Sequence, residues 1–344
     1  MKIDIFCHIT PPKFLKAFEK KIPPPICKEL PSTFIPSLVD LDMRFRIMDS
    51  TPDMAQVLTL TSPPIEVVAE PPVAVELSQI ANDEMAELVQ KYPDRFLGAV
   101  ACLPMNDVDA AFRELDRAIN DLHLRGIQIF SHIAGKPVDS PEFIPLYEKM
   151  VQYDLPIWIH PFFEGPPGGV AKDQSQSEKH RGPTAPPDPA AAMDRSAFQL
   201  VYPSTKAMTR FVYSHLFDKY PGIKFITHHG GSTVPYLANR IQMNYDMLAK
   251  RQGIDHGLKK PILDYYKMFY ADTALHGNIP AMMCGYHFFG ADHILFGTDM
   301  PFDGELGAWS VRKTIESIEQ MGISKSERAK IFEKNAKDLL RLQG

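Results

Sequence analysis

Paired cysteines, long apolar runs, a targeting segment and an excess of positive charge are all missing from this sequence of 344 residues. The four cysteines lie far apart and form no CxxC pair, which argues against a disulfide framework and against a cysteine-rich zinc site. No apolar stretch approaches the roughly 20 residues that span a bilayer, and the N-terminus lacks the pattern of a signal peptide. We therefore expect free thiols, no membrane partner and a cytoplasmic location.

The charge balance excludes a further class of partner. The formal net charge is −5 at pH 7, whereas binding to nucleic acid requires a positive surface field. Hydrophobic residues make up 44% of the chain and charged residues 23%, which is typical of a globular protein with a sizeable core. No GxGxxG motif follows the first strand-like segment, and this argues against a dinucleotide-binding sheet.

Short apolar and β-branched segments recur along the whole chain and predict eight strands. They are KIDIFCH ending at His8, AQVLTL at 55–60, RFLGAVAC at 95–102, GIQIFSH at 126–132, LPIWIH at 155–160, IKFITHH at 223–229, KMFYAD at 267–272 and HILFGTD at 293–299. Stretches with helical spacing separate most of them, which indicates a parallel sheet covered on both faces. We predict one α/β domain over 1–344, a (β/α)8 TIM barrel, with a doubly wound open sheet as the alternative.

Three amphipathic segments, at 79–92, 109–122 and 204–220, predict helices between the strands. A last helix is predicted near the C-terminus, where Ser324 and Glu327 have the spacing of a capping box.

Two long segments interrupt the alternation of strands and helices. For 11–53 we predict a short insertion followed by a helix. The segment 161–203 is rich in glycine, proline and polar residues, and we predict that this long loop is a lid over the C-terminal face of the barrel. A disordered surface insertion is the alternative.

Histidines and aspartates stand at the ends of most predicted strands. They are His8, His132, His160, His228, His229, Asp272 and Asp299. Reactive groups in such a barrel come from the C-terminal ends of different strands, and imidazole and carboxylate are the ligands that zinc prefers. Because side chains alternate along a strand, we expect only one of the adjacent pair His228 and His229 to face the barrel interior.

Each of these residues also has a purely structural interpretation. His8 could hydrogen-bond a carbonyl, and His160 could be a packed core histidine. Asp299 could be a turn or N-cap residue, and Asp272 could equally be structural. The residue types alone do not decide between these roles.

Three motifs resemble those of a known enzyme family: PIWIHPF (156–162), ITHHGGSTVPYLANR (226–240) and HILFGTDMPF (293–302). The chain resembles the aminocarboxymuconate-semialdehyde decarboxylase-like branch of the amidohydrolase superfamily, which includes γ-resorcylate and 5-carboxyvanillate decarboxylases. This resemblance implies that His8, His160 and Asp299 are metal ligands. It also implies that His229 and Asp299 are catalytic. Arg240 would reach the substrate carboxylate of a neighbouring subunit, which implies a homodimer.

The sequence departs from the family pattern at the first strand. The family has an HxH pair there, and Phe6 stands at its first position, where a phenyl ring cannot bind a metal. Three ligands remain, enough for an open catalytic site. We expect Zn²⁺ as the cofactor, with Mn²⁺ as the alternative. His132 and Phe162 are predicted to contact substrate, although His132 could be a packed polar residue, and Arg44 and Arg46 are candidates for another substrate-binding arginine.

The resemblance predicts a metal-dependent, non-oxidative decarboxylase of an aromatic or unsaturated carboxylic acid. The alternative is a metal-dependent hydrolase or hydratase that acts on a ring-cleavage product or a lactone. A third hypothesis is a catalytically silent relative that only binds a ligand, because one metal ligand is missing. Metal analysis separates the last from the first two, and release of CO₂ separates decarboxylation from water addition.

Overall fold

The computed structural model describes residues 1–162, 189–253 and 256–342. Nine strand segments, numbered in chain order, are β1 Lys2–Ile9, β2 Met54–Leu60, β3 Phe96–Ala99, β4 Ala101–Cys102, β5 Ile127–Phe130, β6 Ile157–His160, β7 Phe225–Thr227, β8 Tyr270–Asp272 and β9 Ile294–Leu295. β3 and β4 form one barrel strand interrupted at Val100, whose backbone N–H donates to the carbonyl of Leu58 on β2 at 2.9 Å.

The strands close into a barrel. Every ladder pair is parallel, in the orders β1-β2-β3 and β4-β5-β6-β7-β8-β9. The segment after β9 returns to β1, because Ile5 N donates to Phe296 O at 3.0 Å and Asp299 N donates to Phe6 O at 2.8 Å. The predicted (β/α)8 barrel is thus confirmed, and the open sheet is excluded.

Helices connect successive strands on the outside of the barrel. The α-helices are Pro12–Lys21, Pro24–Cys27, Leu41–Asp49, Ile65–Val68, Pro71–Lys91, Val108–Asn120, Ile144–Tyr153, Pro189–Met193, Val201–Tyr213, Leu216–Lys219, Val234–Gln252, Ile262–Tyr266, Ile279–Phe289, Ala308–Gln320, Lys325–Ala329 and Asn335–Leu340. The helix predicted at 204–220 is broken because His215 has a positive φ of 60°. The predicted capping box of Ser324 and Glu327 is present. Within the described part of the chain, no helix has the length and apolarity to cross a bilayer.

The apolar residues of the strands form the core. A cluster inside the barrel includes Ile5, Val57, Trp158, Ile226 and Leu295, all fully buried. The indole N–H of Trp158 donates to the carbonyl of Ile5 at 3.1 Å and so joins β6 to β1 across the interior. Because this interior is filled with side chains, a ligand can enter only at the ends of the barrel.

The first predicted insertion contains the helix Leu41–Asp49, whose N-cap Asp40 accepts from Met43 N at 3.0 Å. Arg44 of this helix is fully buried and binds the side-chain oxygen of Gln56 and the carbonyl of His8. It therefore supports β1, and its two terminal nitrogens are engaged by protein oxygens, so the structure does not favour it as the candidate substrate-binding arginine. Arg46 is exposed. Most of the predicted lid, 163–188, lies outside the described residues.

Candidate functional site

The three residues predicted as metal ligands lie together at the C-terminal end of the barrel. His8 Nε2 is 3.3 Å from His160 Nε2 and 3.4 Å from Asp299 Oδ1. His8 stands near the end of β1, His160 ends β6, and Asp299 follows β9 in a turn with φ 60°. Two donor atoms bound to one tetrahedral ion at about 2.0–2.1 Å are about 3.3 Å apart. The two contacts of His8 therefore have the separation expected of neighbouring ligands.

The hydrogen bonds of the His160 imidazole assign its proton. His160 Nδ1 lies 2.7 Å from the carbonyl of Pro161 and donates to it. His8 Nδ1 lies 3.4 Å from Thr59 Oγ1, whose own hydroxyl donates to the carbonyl of Cys7 at 3.1 Å. Nδ1 of His160 thus carries a proton, and its Nε2 presents a lone pair towards His8 Nε2. This arrangement suits a shared proton or a cation between the two nitrogens.

Burial supports the neutral form of the His160 ring. It lowers the pKa of His160 well below its ordinary value, and the nearby His8 and His228 lower that pKa further. An imidazole that stays neutral keeps Nε2 available as a metal donor.

The described residues do not form a complete metal-binding site. Across residues 1–162, 189–253 and 256–342, no group of three or more His, Cys, Asp or Glu side chains has an arrangement that could hold a metal ion. Two imidazole lone pairs and a carboxylate nevertheless fit a divalent cation such as zinc or manganese in donor type. The ligand roles of His8, His160 and Asp299 remain predictions, and binding would require adjustment of their side chains.

Asp299 lies between two imidazoles. Its Oδ2 is 3.7 Å from His229 Nε2, and its Oδ1 faces His8. Burial raises the pKa of Asp299, but His229 and His8 outweigh burial and hold that pKa well below its usual range. Burial likewise lowers the pKa of His229, yet the hydrogen bond and charge of Asp299 outweigh it, and the net pKa is raised. The pair therefore favours an ionised carboxylate beside a protonated imidazole.

His228 also belongs to the site, although the sequence suggested that only one of the two adjacent histidines would. β7 ends at Thr227, and His229 adopts a positive φ of 56°, so the chain has left the alternation of a strand and both side chains reach the barrel mouth. The prediction of a single inward residue is therefore wrong. The glycines at 230 and 231, which signal a turn, could have shown that the strand ends early.

Asp272 fixes the ring of His228. The distance between His228 Nδ1 and Asp272 Oδ2 is 2.8 Å, and Asp272 Oδ1 accepts the backbone N–H groups of Gly230 and Ala274 at 3.1 Å each. His228 is fully buried, and its Nε2 has no hydrogen-bond partner among the described residues. Burial lowers its pKa. Asp272 thus orients the neutral imidazole of His228, whose Nε2 keeps a free lone pair. This arrangement is typical of metal ligands and general bases.

Phe6 forms an apolar wall inside this group. Its ring stacks on the imidazole of His228 with centroids 3.5 Å apart and an interplanar angle of 17°, and it meets the ring of His8 edge-on at 4.8 Å. The residue is fully buried. In place of a metal ligand, the chain therefore has an aromatic ring that holds His228 in position.

A buried carboxyl group below the site joins the first and last strands. Asp4 Oδ1 accepts the backbone N–H groups of Phe6 at 3.2 Å and Thr298 at 3.1 Å, and Oδ2 accepts the Thr298 hydroxyl at 2.6 Å. Burial raises the pKa of Asp4 to about 7. These bonds position the two segments that carry His8 and Asp299.

The predicted substrate-binding residues fall into two groups. The ring of His132 is 5.5 Å from that of Phe162, Phe162 is 5.8 Å from Phe130, and Phe130 is 5.2 Å from His160. His132 and Phe162 are therefore joined to the site through a row of aromatic rings. Arg240 is exposed on the helix Val234–Gln252. Its predicted reach into the site of a second subunit stays a prediction, because the structure is that of a single chain.

Comparisons with known proteins agree with this geometry. The family model described as amidohydrolase matches residues 5–342. The γ-resorcylate decarboxylase of Polaromonas sp. strain JS666 is 31% identical over 89% of this chain and 89% of its own. A solved dihydroxybenzoic acid decarboxylase from Polaromonas sp. JS666, with bound manganese and the inhibitor 2-nitroresorcinol, is 27% identical, with a TM-score of 0.73 over 99% of this chain and 97% of that one.

A relative with a different activity also matches. The 2-keto-4-carboxy-3-hexenedioate hydratase of Sphingobium sp. strain NBRC 103272 / SYK-6 is 27% identical over 93% of this chain and 88% of its own. The solved relative from Polaromonas holds manganese, so the preference for zinc inferred from the sequence is not supported by that structure.

Proposed function

The chain belongs to the amidohydrolase family, and from that premise we propose that it catalyses the metal-dependent, non-oxidative decarboxylation of an aromatic carboxylic acid. The observation that supports the proposal is that His8 contacts both His160 and Asp299 at one end of the barrel. The γ-resorcylate and dihydroxybenzoic acid decarboxylases among the relatives favour this reaction.

We propose Mn²⁺ as the cofactor, held by His8, His160 and Asp299. When bound, the ion polarises substrate oxygens and neutralises negative charge near the scissile carboxylate. His8 and His160 would supply two imidazole nitrogens and Asp299 one ionised carboxylate, a set of donors that suits a divalent cation.

His229 is the proposed proton donor. Burial lowers its pKa, but Asp299 outweighs burial and raises it, which favours the protonated imidazole. That proton passes to the ring carbon that bears the carboxylate. The bond between this carbon and the carboxylate then breaks, CO₂ leaves, and the bonding electrons restore the aromatic ring. Solvent returns one proton to His229, so that the net reaction consumes one proton for each CO₂.

The substrate is proposed to lie between the histidines and the aromatic residues of the rim. Phe162 and His132 would contact the ring of the substrate, and Arg240 of a second subunit would bind its carboxylate through charge-assisted hydrogen bonds. A homodimer follows from this last role.

Water addition is the second candidate, favoured by the similarity to the hydratase from Sphingobium. The same side chains could hold a water and move its proton. In that case no carbon would be lost from the substrate.

The test uses γ-resorcylate labelled with ¹³C in its carboxyl group, incubated with manganese-loaded protein in D₂O. We expect ¹³CO₂ in the headspace and one deuterium in the product at the carbon that lost the carboxylate. His229→Gln should abolish both signals while manganese remains bound. A metal-loaded protein that releases no CO₂ from this acid or from other hydroxybenzoates would refute the proposal, and a product that has gained water would favour the hydratase.

A further inference from the structure

His228 lies among the proposed metal ligands, although the proposed reaction gives it no role. We call the group of His8, His160, His228, His229 and Asp299 the histidine site. The ring centroids of His228 and His160 are 5.6 Å apart, and those of His8 and His160 are 5.0 Å apart. Two imidazoles that bind one ion at about 2.0–2.1 Å have ring centroids about 4.5–6 Å apart. His228 and His8 are therefore at similar distances from His160, and both distances suit ligands of one ion.

The two ring nitrogens of His228 have different surroundings. Nδ1 lies 2.8 Å from Asp272 Oδ2, so the carboxylate accepts the Nδ1 proton and Nε2 keeps a lone pair. Nε2 is buried and has no hydrogen-bond partner among the described residues. Such an atom destabilises a fold unless water or a ligand binds it. A carboxylate that accepts from the other ring nitrogen is the usual support of a metal-binding imidazole.

Burial separates His228 from the proposed proton donor that follows it in the chain. The side chain of His228 is 0% exposed and that of His8 is 1% exposed, whereas that of His229 is 14% exposed. A residue that passes a proton to substrate must touch the substrate and regain its proton from water. Because His228 shares the burial of His8, it is better suited to hold an ion than to exchange protons.

Phe6 occupies the same part of the site without supplying a donor atom. Its ring stacks on His228 with centroids 3.5 Å apart, and it meets the rings of His8 and His160 edge-on at 4.8 and 5.8 Å. The stacked imidazole therefore brings a nitrogen donor to the place where the first strand offers only a phenyl ring. The phenyl face also restricts the motion of the imidazole.

We propose that His228 is a further metal ligand, which binds the divalent ion through Nε2 together with the three ligands proposed above. The complete set would contain three imidazoles and one carboxylate, which are donor types that divalent metals accept. Because no three of the described side chains already have the arrangement of a metal site, the ion would draw these donors together. This inference rests on the proposed function, because it takes a metal ion to be bound at the histidine site.

The direct test counts the histidine nitrogens that bind manganese. Protein labelled with ¹⁵N in histidine alone would be loaded with Mn²⁺ and measured by pulsed electron–nuclear double resonance. We expect three coupled histidine nitrogens in the wild-type chain. His228→Asn, which keeps an N–H group for Asp272 and removes Nε2, should leave two and weaken the binding of Mn²⁺ by about 100-fold or more.

His229→Asn is the matched control, because it changes the neighbouring histidine in the same way. Asparagine tolerates the positive φ of 56° at this position. This variant should keep three coupled nitrogens and an affinity for Mn²⁺ close to that of the wild type. Asp272→Asn removes the charge that orients His228, and it should weaken the binding of Mn²⁺ by about 10- to 100-fold. A purely structural role of His228 would not produce that loss.

The count in the wild-type chain decides between the outcomes even if a variant fails to fold. Two coupled nitrogens in a protein that releases CO₂ from hydroxybenzoates would overturn the role of His228 and leave the decarboxylase standing. Three coupled nitrogens in a protein that releases no CO₂ from these acids would do the reverse. A wild-type chain that binds no manganese would contradict both proposals.

Discussion

The histidine site and the pocket lined by Thr61, Glu66 and Gln128 differ in which buried polar atoms lack hydrogen-bond partners. In the histidine site, Asp299 lies against His8 and His229, and Asp272 holds His228. The atoms without partners there, within the described chain, include the ring nitrogens His228 Nε2 and His229 Nδ1. In the pocket they are the neutral oxygens Thr61 Oγ1 and Gln128 Oε1. Ring nitrogens held by carboxylates can bind a metal or move a proton, whereas neutral oxygens only form hydrogen bonds, so the difference teaches where chemistry is possible.

The largest effect is expected when the charge at the centre of the histidine site is removed. Asp299→Asn keeps the size of the side chain but removes the anion that contacts His8 and His229. We expect kcat/KM for decarboxylation to fall by about 10³-fold or more. A loss smaller than tenfold, with the melting temperature unchanged, would show that this charge is not central.

A smaller loss is expected from Asp272→Asn. The variant keeps an oxygen for the N–H groups of Gly230 and Ala274, but it weakens control of the His228 ring. We expect activity to fall by about 10- to 100-fold, as for other groups that orient a functional histidine. Asp303→Asn is the control, because Asp303 also accepts backbone N–H groups. Equal effects of both variants on activity would contradict a specific role for Asp272.

Arg240→Ala tests whether the histidine site needs a second subunit. If Arg240 binds the substrate carboxylate across a dimer, KM should rise by about 10- to 100-fold, the value of a charge-assisted hydrogen bond. Mixing Arg240→Ala with inactive His229→Gln should restore activity, because mixed dimers would contain one intact site. Absence of restoration after subunit exchange would contradict the dimeric site.

The last prediction concerns stability rather than activity and depends on Glu66 and pH. Because burial raises the pKa of Glu66 from its ordinary value of 4.5 to about 7, the folded state holds its proton more tightly than the unfolded state does. This stabilisation is complete below pH 4.5 and is lost as pH rises through 7. At about 1.4 kcal/mol per pKa unit it corresponds to about 3 kcal/mol. In Glu66→Gln, urea unfolding should show a correspondingly flatter dependence on pH, and an unchanged slope would contradict the burial of this carboxyl.

The fold and the centre of the site were accessible from the sequence for a simple physical reason. Apolar segments that alternate with helices allow few arrangements, and in a parallel barrel every strand ends at the same face. His8, His160 and Asp299 could therefore be expected to meet before any coordinates were known. Asp299 ends the strand predicted at 293–299, which indicated the correct face, although β9 itself ends earlier, at Leu295.

Other features depended on packing that a sequence pattern does not record. The second inward histidine of the pair at 228 and 229 required the backbone turn at His229. Arg44 looked available for substrate, but its helix packs it under β1. The unpartnered atoms of Thr61 and Gln128 are defined by what surrounds them in the fold, so nothing in their residue types could reveal that they lack partners among the described residues.

The most direct test of the account is the binding of manganese to metal-free protein, measured by electron paramagnetic resonance together with elemental analysis after dialysis. We expect one Mn²⁺ per chain, loss of binding in His160→Ala and Asp299→Asn, and full retention in Thr61→Val, since Thr61 is not a predicted ligand. A wild-type chain that binds no manganese, or one whose binding survives both ligand variants, would contradict the claim that these distant residues meet around one cation.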